Sequence, residues 1–252
     1  MIRIERQEKT AVVYFDRGEK LNAFNQQLIQ ALTQAAREFE QDRVIQSIVL
    51  SGTQKAFSSG MDLDDEMWDM PAASDLERRE TYYSGVRLCE TWERLPQVTI
   101  AAIEGMAVGA GVALALACDW RVAAQDAFLY VPEVKVGINL QWGAVPRLVS
   151  LVGPARAKQI CLLCEKYSAE QACDWGLLDR IAPVGGAIGL ACELASEVNK
   201  QPDVTIRMIK EAINATSNVL HRATSFADAD QSQLSGNFLA ARSARDRFLG
   251  KK

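Results

Sequence analysis

The sequence predicts an α/β fold with a helical C-terminal region, and three observations lead there. Apolar runs of strand length, Ile45–Ser51 and Val98–Ile103, alternate with stretches of helical period. Each of those two runs is followed by a glycine-containing loop and then a helical pattern, at 45–65 and again at 98–118, an architectural repeat without a repeated sequence. From about residue 187 onward no strand signal appears, and the helical pattern becomes increasingly polar.

Composition supports a packed domain. The chain has 252 residues, 48% hydrophobic and 24% charged, with a net charge of −4. That balance is no electrostatic footprint for nucleic acid. The N-terminal MIRIERQEKT is too charged for a signal peptide. The longest apolar run, Met106 to Cys118, falls short of the roughly 20 residues that span a bilayer. No membrane association and a cytoplasmic location are therefore expected.

In order along the chain, IRIER (2–6) and AVVYFD (11–16) alternate around Gln7–Thr10 and read as a hairpin. Asn25 is placed to cap a helix whose apolar face is Leu28, Ile29, Leu32, Ala36 and Phe39. Strand 45–51 leads into a loop, 52–63, and then into a polar, mostly helical stretch, 64–96. Strand 98–103 leads into the glycine stretch and a helix at 110–118. Short strands are expected at 121–124 and 128–131, ended by Pro132, with PEVKVGINLQWG as a loop. A helix is expected at 154–163. Ser168-Ala-Glu-Gln171 reads as a capping box opening a helix that Gly176 closes, with a last strand at 178–181.

The six cysteines lie in apolar helix-like segments and read as core residues; no metal site is expected. The single histidine, His221, sits in a polar helix and reads as a surface residue, which argues against Ser-His-Asp or Cys-His catalysis.

The stretch GMAVGAGVALALACD (105–119) is stripped of side-chain chemistry. Its glycines could serve close packing alone. Its spacing is not G-x-G-x-x-G, so a dinucleotide site is disfavoured. A third reading uses the helix start: the first N–H groups lack internal partners, and small residues let an anionic oxygen approach them. The Ala110 amide would then be one donor, and the Met61 amide, after Gly60 in AFSSGMDL (56–63), a second. Glu133, beside Val131, Val134 and Val136, is a carboxylate whose pKa partial burial would raise toward that of a general base, or else an exposed turn residue.

These stretches, with KLNAF (20–24), IEGMAVGAGVALALACD (103–119), PEVKVGI (132–138) and SAEQACDWGLLDRI (168–181), resemble in order the hallmarks of the crotonase superfamily, the enoyl-CoA hydratases and isomerases. The resemblance spans about residues 1–215. It implies a crotonase-like spiral of ββα repeats (1–195) and a C-terminal α-helical trimerisation region (196–252), assembled as a homotrimer or dimer of trimers. It implies an acyl-CoA thioester as partner, coenzyme A being part of the substrate, with no prosthetic group. Carried over by motif position, the Met61 and Ala110 amides hold the thioester oxygen and Glu133 is the acid–base residue. Lys20, Leu21 and Ser59, with Asp62 and Leu63 beside them, fall along the coenzyme path.

Two departures stand out. Family hydratases usually carry a second glutamate where this chain has Ala113. One carboxylate suffices to move a proton from C2 to C4 of a 3-enoyl thioester, so Δ3-to-Δ2 isomerisation is the leading expectation. Hydration aided by Asn139 or Gln141, thioester hydrolysis or decarboxylation, and a non-catalytic acyl-CoA binder remain open. Relatives often have a lysine where this chain has Asp64, so the cation for the coenzyme phosphates would be Lys20, Lys55, Arg245, Arg247 or Lys251. Met67, Trp68 and Met70 are read either as acyl-pocket lining or as a buried helix face. Phe226, Leu234, Phe238, Leu239 and Phe248 need a covering surface.

Overall fold

The chain order follows the expected alternation in a computed structural model that describes residues 1–68 and 70–250. The elements are β1 (Ile2–Gln7), β2 (Thr10–Phe15), α1 (Gln26–Glu40), β3 (Ser47–Ser51), α2 (Asp75–Tyr82), α3 (Ser84–Glu93), β4 (Val98–Ile103), β5 (Met106–Val108), α4 (Ala110–Leu116), β6 (Trp120–Ala124), β7 (Phe128–Tyr130) and α5 (Glu133–Val136). They continue as α6 (Ala144–Leu163), β8 (Lys166–Ser168), α7 (Ala169–Asp174), β9 (Arg180–Ala182), α8 (Ala187–Asn199), α9 (Asp203–Ser217), α10 (His221–Ser225), α11 (Asp228–Gly236) and α12 (Leu239–Phe248).

Two sheets organise them. The larger has the order β1-β2-β3-β4-β6-β9, antiparallel only at the β1–β2 hairpin and parallel elsewhere. The smaller is β5-β7-β8, with β5 and β7 parallel and β7 and β8 antiparallel. Strands β3 and β4 are buried at every position because helices cover both faces. Ile48, Leu50, Ala101 and Ile103 face a core shared with α1, α3 and α4. Val49, Ile100 and Ala102 face the other way, onto Ala187, Ala191 and Ala195 of α8.

Several boundaries differ from the sequence reading for identifiable reasons. Strand β3 starts at Ser47, not Ile45, because the Asp42 carboxylate accepts the N–H groups of Val44 and Ile45 and holds them in a turn. The 132–143 segment, expected as a loop, contains the single-turn helix α5, closed by Gly137 at φ +86. Helix α6 begins ten residues before Pro154, since Gly153 (φ 72, ψ 167) interrupts it and Pro154 only restarts it. Strands β5 and β8 were not expected; at three residues each they exist only through their pairing with β7.

The C-terminal helices are bound to the rest of the chain by polar anchors. On α9, Lys210 Nζ donates to the Gln97 carbonyl and to Asp119, both at 2.6 Å. His221 is buried, contrary to the surface placement expected from its polar neighbours. Its Nδ1 lies 3.3 Å from Glu93 and its Nε2 3.3 Å from Ser150. Helix α12 closes on α5: a Cβ on Gly137 would stand 2.6 Å from the Cα of Ala241. Phe226, Leu234, Phe238 and Leu239 remain exposed. Cys89 and Cys118 are fully buried thiols, pushed up to about 12 by burial and so kept protonated. No helix among the described residues is long and apolar enough to cross a membrane.

Candidate active site

The glycine stretch crosses from the small sheet into α4. At Gly109 the backbone takes φ +48 and ψ −109, a conformation side chains rarely permit. Its N–H donates to the Tyr130 carbonyl at 2.8 Å. A Cβ there would stand 2.6 Å from Glu133 Oε1, so this position needs glycine for conformation and for space. Helix α4 then starts at Ala110 with no side-chain cap. A Cβ on Gly111 would meet Ser58 at 3.0 Å, which places the helix start directly against the 56–63 loop.

That loop is fixed by two short parallel pairings, Ser58 with Ala107 and Met61 with Phe24. Phe24 uses both its backbone groups on the residues flanking Met61: its N–H donates to Gly60 at 2.7 Å, and its carbonyl accepts from Asp62 at 2.8 Å. In a parallel pairing of this kind the Met61 N–H points away from Phe24. No backbone hydrogen bond among the described residues engages the N–H of Met61 or of Ala110.

The KLNAF segment straps this loop in place. Lys20, Leu21 and Asn22 are all left-handed. The buried Asn22 amide donates to the carbonyls of Phe15 and Phe57, and its oxygen accepts from the Arg17 N–H. Ser59 donates its N–H to the Leu21 carbonyl and its hydroxyl to the Lys20 carbonyl.

Five of the eight residues singled out by sequence, Ser59, Met61, Leu63, Ala110 and Glu133, line one cavity of about 110 Å³. Asp62 does not. It is buried on the opposite side of the loop, paired with Arg17 at 2.7 Å and Lys20 at 2.9 Å. Burial alone would raise the Asp62 carboxyl, but hydrogen bonds from Lys20 and Arg17 outweigh it and hold the group below its ordinary value. Lys20, raised above its ordinary value chiefly by Asp62, and Leu21 line a neighbouring open groove together with Lys55. Lys20 is thus tied to carboxylates, Asp64 included, at the place where a free cation was expected. Lys251 lies outside the described residues.

Glu133 is the one ionisable residue among the described residues that line the cavity. It opens α5 just after Pro132. The residue as a whole is half-buried, but its Oε2 is sealed from solvent and has no hydrogen-bond partner. Burial therefore pushes its pKa from 4.5 up to about 7. Ala113, one turn into α4, also lines the cavity and leaves that wall apolar.

Of the two amides considered as helpers, Gln141 lines the cavity with its Oε1 buried and unpartnered. Asn139 does not line it; its backbone N–H donates to Ser235 and its side-chain amide to the Asp228 carbonyl of α11. Trp68 is pocket lining, its indole N–H held by the Asp62 carbonyl at 2.7 Å, whereas Met67 packs in the interior. Trp142 and Phe248 complete the wall and were not anticipated as pocket residues. A larger groove of about 660 Å³ runs along α9, but its charged groups are paired, Lys210 with Asp119, Arg147 with Glu93 and Arg121 with Asp179. The unpaired carboxyl makes the smaller cavity the candidate active site.

The chain is similar to known proteins over nearly its whole length. The sequence model of the enoyl-CoA hydratase/isomerase family matches residues 5–251. A short-chain-enoyl-CoA hydratase of Clostridium acetobutylicum is 30% identical over 212 residues, 84% of this chain and 80% of that protein. A crotonyl-CoA hydratase of Syntrophomonas wolfei is 30% identical over 259 residues, 98% of this chain and 97% of that one. Among solved structures, an enoyl-CoA hydratase from Mycobacterium avium subsp. paratuberculosis shares the fold with a TM-score of 0.86 at 24% identity, covering 99% of this chain and 95% of that one. Pseudomonas aeruginosa DspI gives a TM-score of 0.79 at 28% identity, covering 99% and 94%.

Proposed function

The chain belongs to the enoyl-CoA hydratase/isomerase family, and from that premise we propose that it converts acyl-CoA thioesters through an enolate held by the amides of Met61 and Ala110, with Glu133 moving the proton. The observation that carries this reading is the single unpartnered carboxyl in an apolar cavity, poised near neutrality. Removing a proton beside a thioester carbonyl puts negative charge on its oxygen. Two fixed N–H donors stabilise that charge more than the neutral carbonyl, each contributing roughly 3–4 kcal/mol. A base with a pKa near the working pH is present in its ionised form often enough to accept the proton, and basic enough to take it.

The favoured outcome is a double-bond shift from Δ3 to Δ2. With Ala113 where family hydratases usually place a second glutamate, Glu133 takes a proton from C2 and returns it at C4. Hydration of a 2-enoyl thioester is the second reading. It is supported by the hydratase names of the relatives and by the free Gln141 oxygen in the same cavity, which would accept a hydrogen bond from a water. Following conjugated-thioester absorbance separates the two. A rise with 3-enoyl-CoA marks isomerisation; a fall with 2-enoyl-CoA marks hydration; no change with either removes both readings.

The exposed apolar residues of 196–252 support assembly into a trimer or a dimer of trimers through that region. Sedimentation equilibrium tests it, and a monomer at micromolar concentration excludes it.

A further inference from the structure

The cavity is small for its task. At roughly 110 Å³ it lies well below the roughly 300–1,000 Å³ of typical ligand pockets. One of its walls is Trp142, a residue braced on several sides. Its backbone is left-handed (φ +64), a conformation that a bulky residue adopts only where its surroundings impose it. The Trp142 carbonyl accepts from Arg147 Nη1 at 2.7 Å, and the next N–H, of Gly143, donates to the Asp228 carboxylate at 2.7 Å; both bonds are buried. Arg147 is itself fixed by Glu93 at 2.8 Å. The indole lies where residue 85 would otherwise carry a side chain: a Cβ on Gly85 would fall 1.8 Å from Trp142 Cε2. The far edge of the indole meets Phe24, ring centroids 5.6 Å apart at 73°. Phe24 is the residue whose backbone orients Met61, so the wall of the cavity and one amide of the site are braced by the same side chain.

We infer that Trp142 is a specificity-determining wall of the acyl site and favours short acyl groups over long ones. The inference rests on the acyl-CoA reading above and deepens it. Gly85 and Phe24 pack against the indole and oppose its displacement away from the cavity. A longer chain must therefore displace a braced side chain or stay outside the cavity.

The test is calorimetric binding of saturated, unreactive thioesters to the full chain: butyryl-CoA, octanoyl-CoA and dodecanoyl-CoA, with free CoA as reference. Wild type is expected to bind butyryl-CoA at least 10-fold more tightly than octanoyl-CoA. Trp142→Ala, and the milder Trp142→Leu, are expected to raise the octanoyl-to-butyryl affinity ratio at least 10-fold. The wild-type series needs no variant to fold. An affinity that rises or stays level from butyryl to dodecanoyl overturns the inference and leaves the acyl-CoA reading standing. If the octanoyl-to-butyryl ratio is unchanged in a folded Trp142 variant, Trp142 is not a specificity-determining wall. If no thioester binds, the acyl-CoA reading fails and the inference with it.

Discussion

Replacing Glu133 by Gln separates the catalytic demand on this carboxyl from its cost to the fold. Glu133 ionises at about 7 in the folded chain against 4.5 ordinarily. At 1.36 kcal/mol per pH unit that difference amounts to about 3 kcal/mol. The sign follows from proton binding. Between pH 4.5 and 7 the folded state holds a proton that the unfolded state has released, so stability falls as pH rises through this window. Below pH 4.5 the group is neutral in both states and the penalty vanishes. Glu133→Gln is neutral throughout. It is therefore expected to melt roughly 6–12 °C above wild type at pH 8, at about 2–4 °C per kcal/mol, and within a degree or two of it at pH 4.5. Turnover of an enoyl-CoA substrate should fall about 10²- to 10⁴-fold, and the kcat/KM of wild type should rise with pH through a midpoint near 7. Thermal melts at both pH values and absorbance kinetics measure all of this. Equal melting differences at pH 4.5 and 8, or full turnover by the variant, would refute the reasoning.

Gly109→Ala places a methyl 2.6 Å from Glu133 Oε1 on a backbone at φ +48; it should cost about 1–3 kcal/mol in urea melts and lower kcat at least 10-fold. Ala113→Glu sets a second carboxyl in the same cavity, so the kcat/KM midpoint should move above 7 by like-charge repulsion, and hydration should gain on isomerisation in the absorbance assays. An unmoved midpoint would mean the two positions do not share an environment. Glu93→Gln strands the buried Arg147, and denaturant melts should show a loss of about 3–5 kcal/mol. Burial would raise the Glu93 carboxyl, but His221 and Arg147 bring it down to about 2, so its stabilisation is present at neutral pH and lost as pH falls below about 4.5 toward 2.

The amide-bearing turn and the carboxyl that share the cavity were legible because their signals are local. Gly109 and Ala110 declare themselves through backbone freedom and a helix start in one strand–turn–helix passage, and Glu133 as a carboxyl among valines just after β7. Asn25 caps α1 on Leu28 as its position requires. What escaped the sequence depends on distant partners. His221 is buried because Glu93, 128 residues away, accepts it, and nothing near position 221 announces that. Trp142 forms a wall because Gly85 makes room, and a lone glycine in a helical pattern reads as a weakness rather than as a slot.

Asp62 shows the boundary between the two kinds of information. It was grouped with its neighbours along the coenzyme path, yet in an extended segment successive side chains face opposite sides. Ser59, Met61 and Leu63 share the cavity, so Asp62 must face Arg17 and Lys20. The alternation was available from the sequence once the segment was taken as strand-like, and it carries a consequence for the coenzyme. Its carboxylate draws Lys20 to the outer side of the loop. If a coenzyme phosphate approaches along the Lys20–Lys55 groove, as the proposed reading requires, it competes with Asp62 and Asp64 for the same ammonium group.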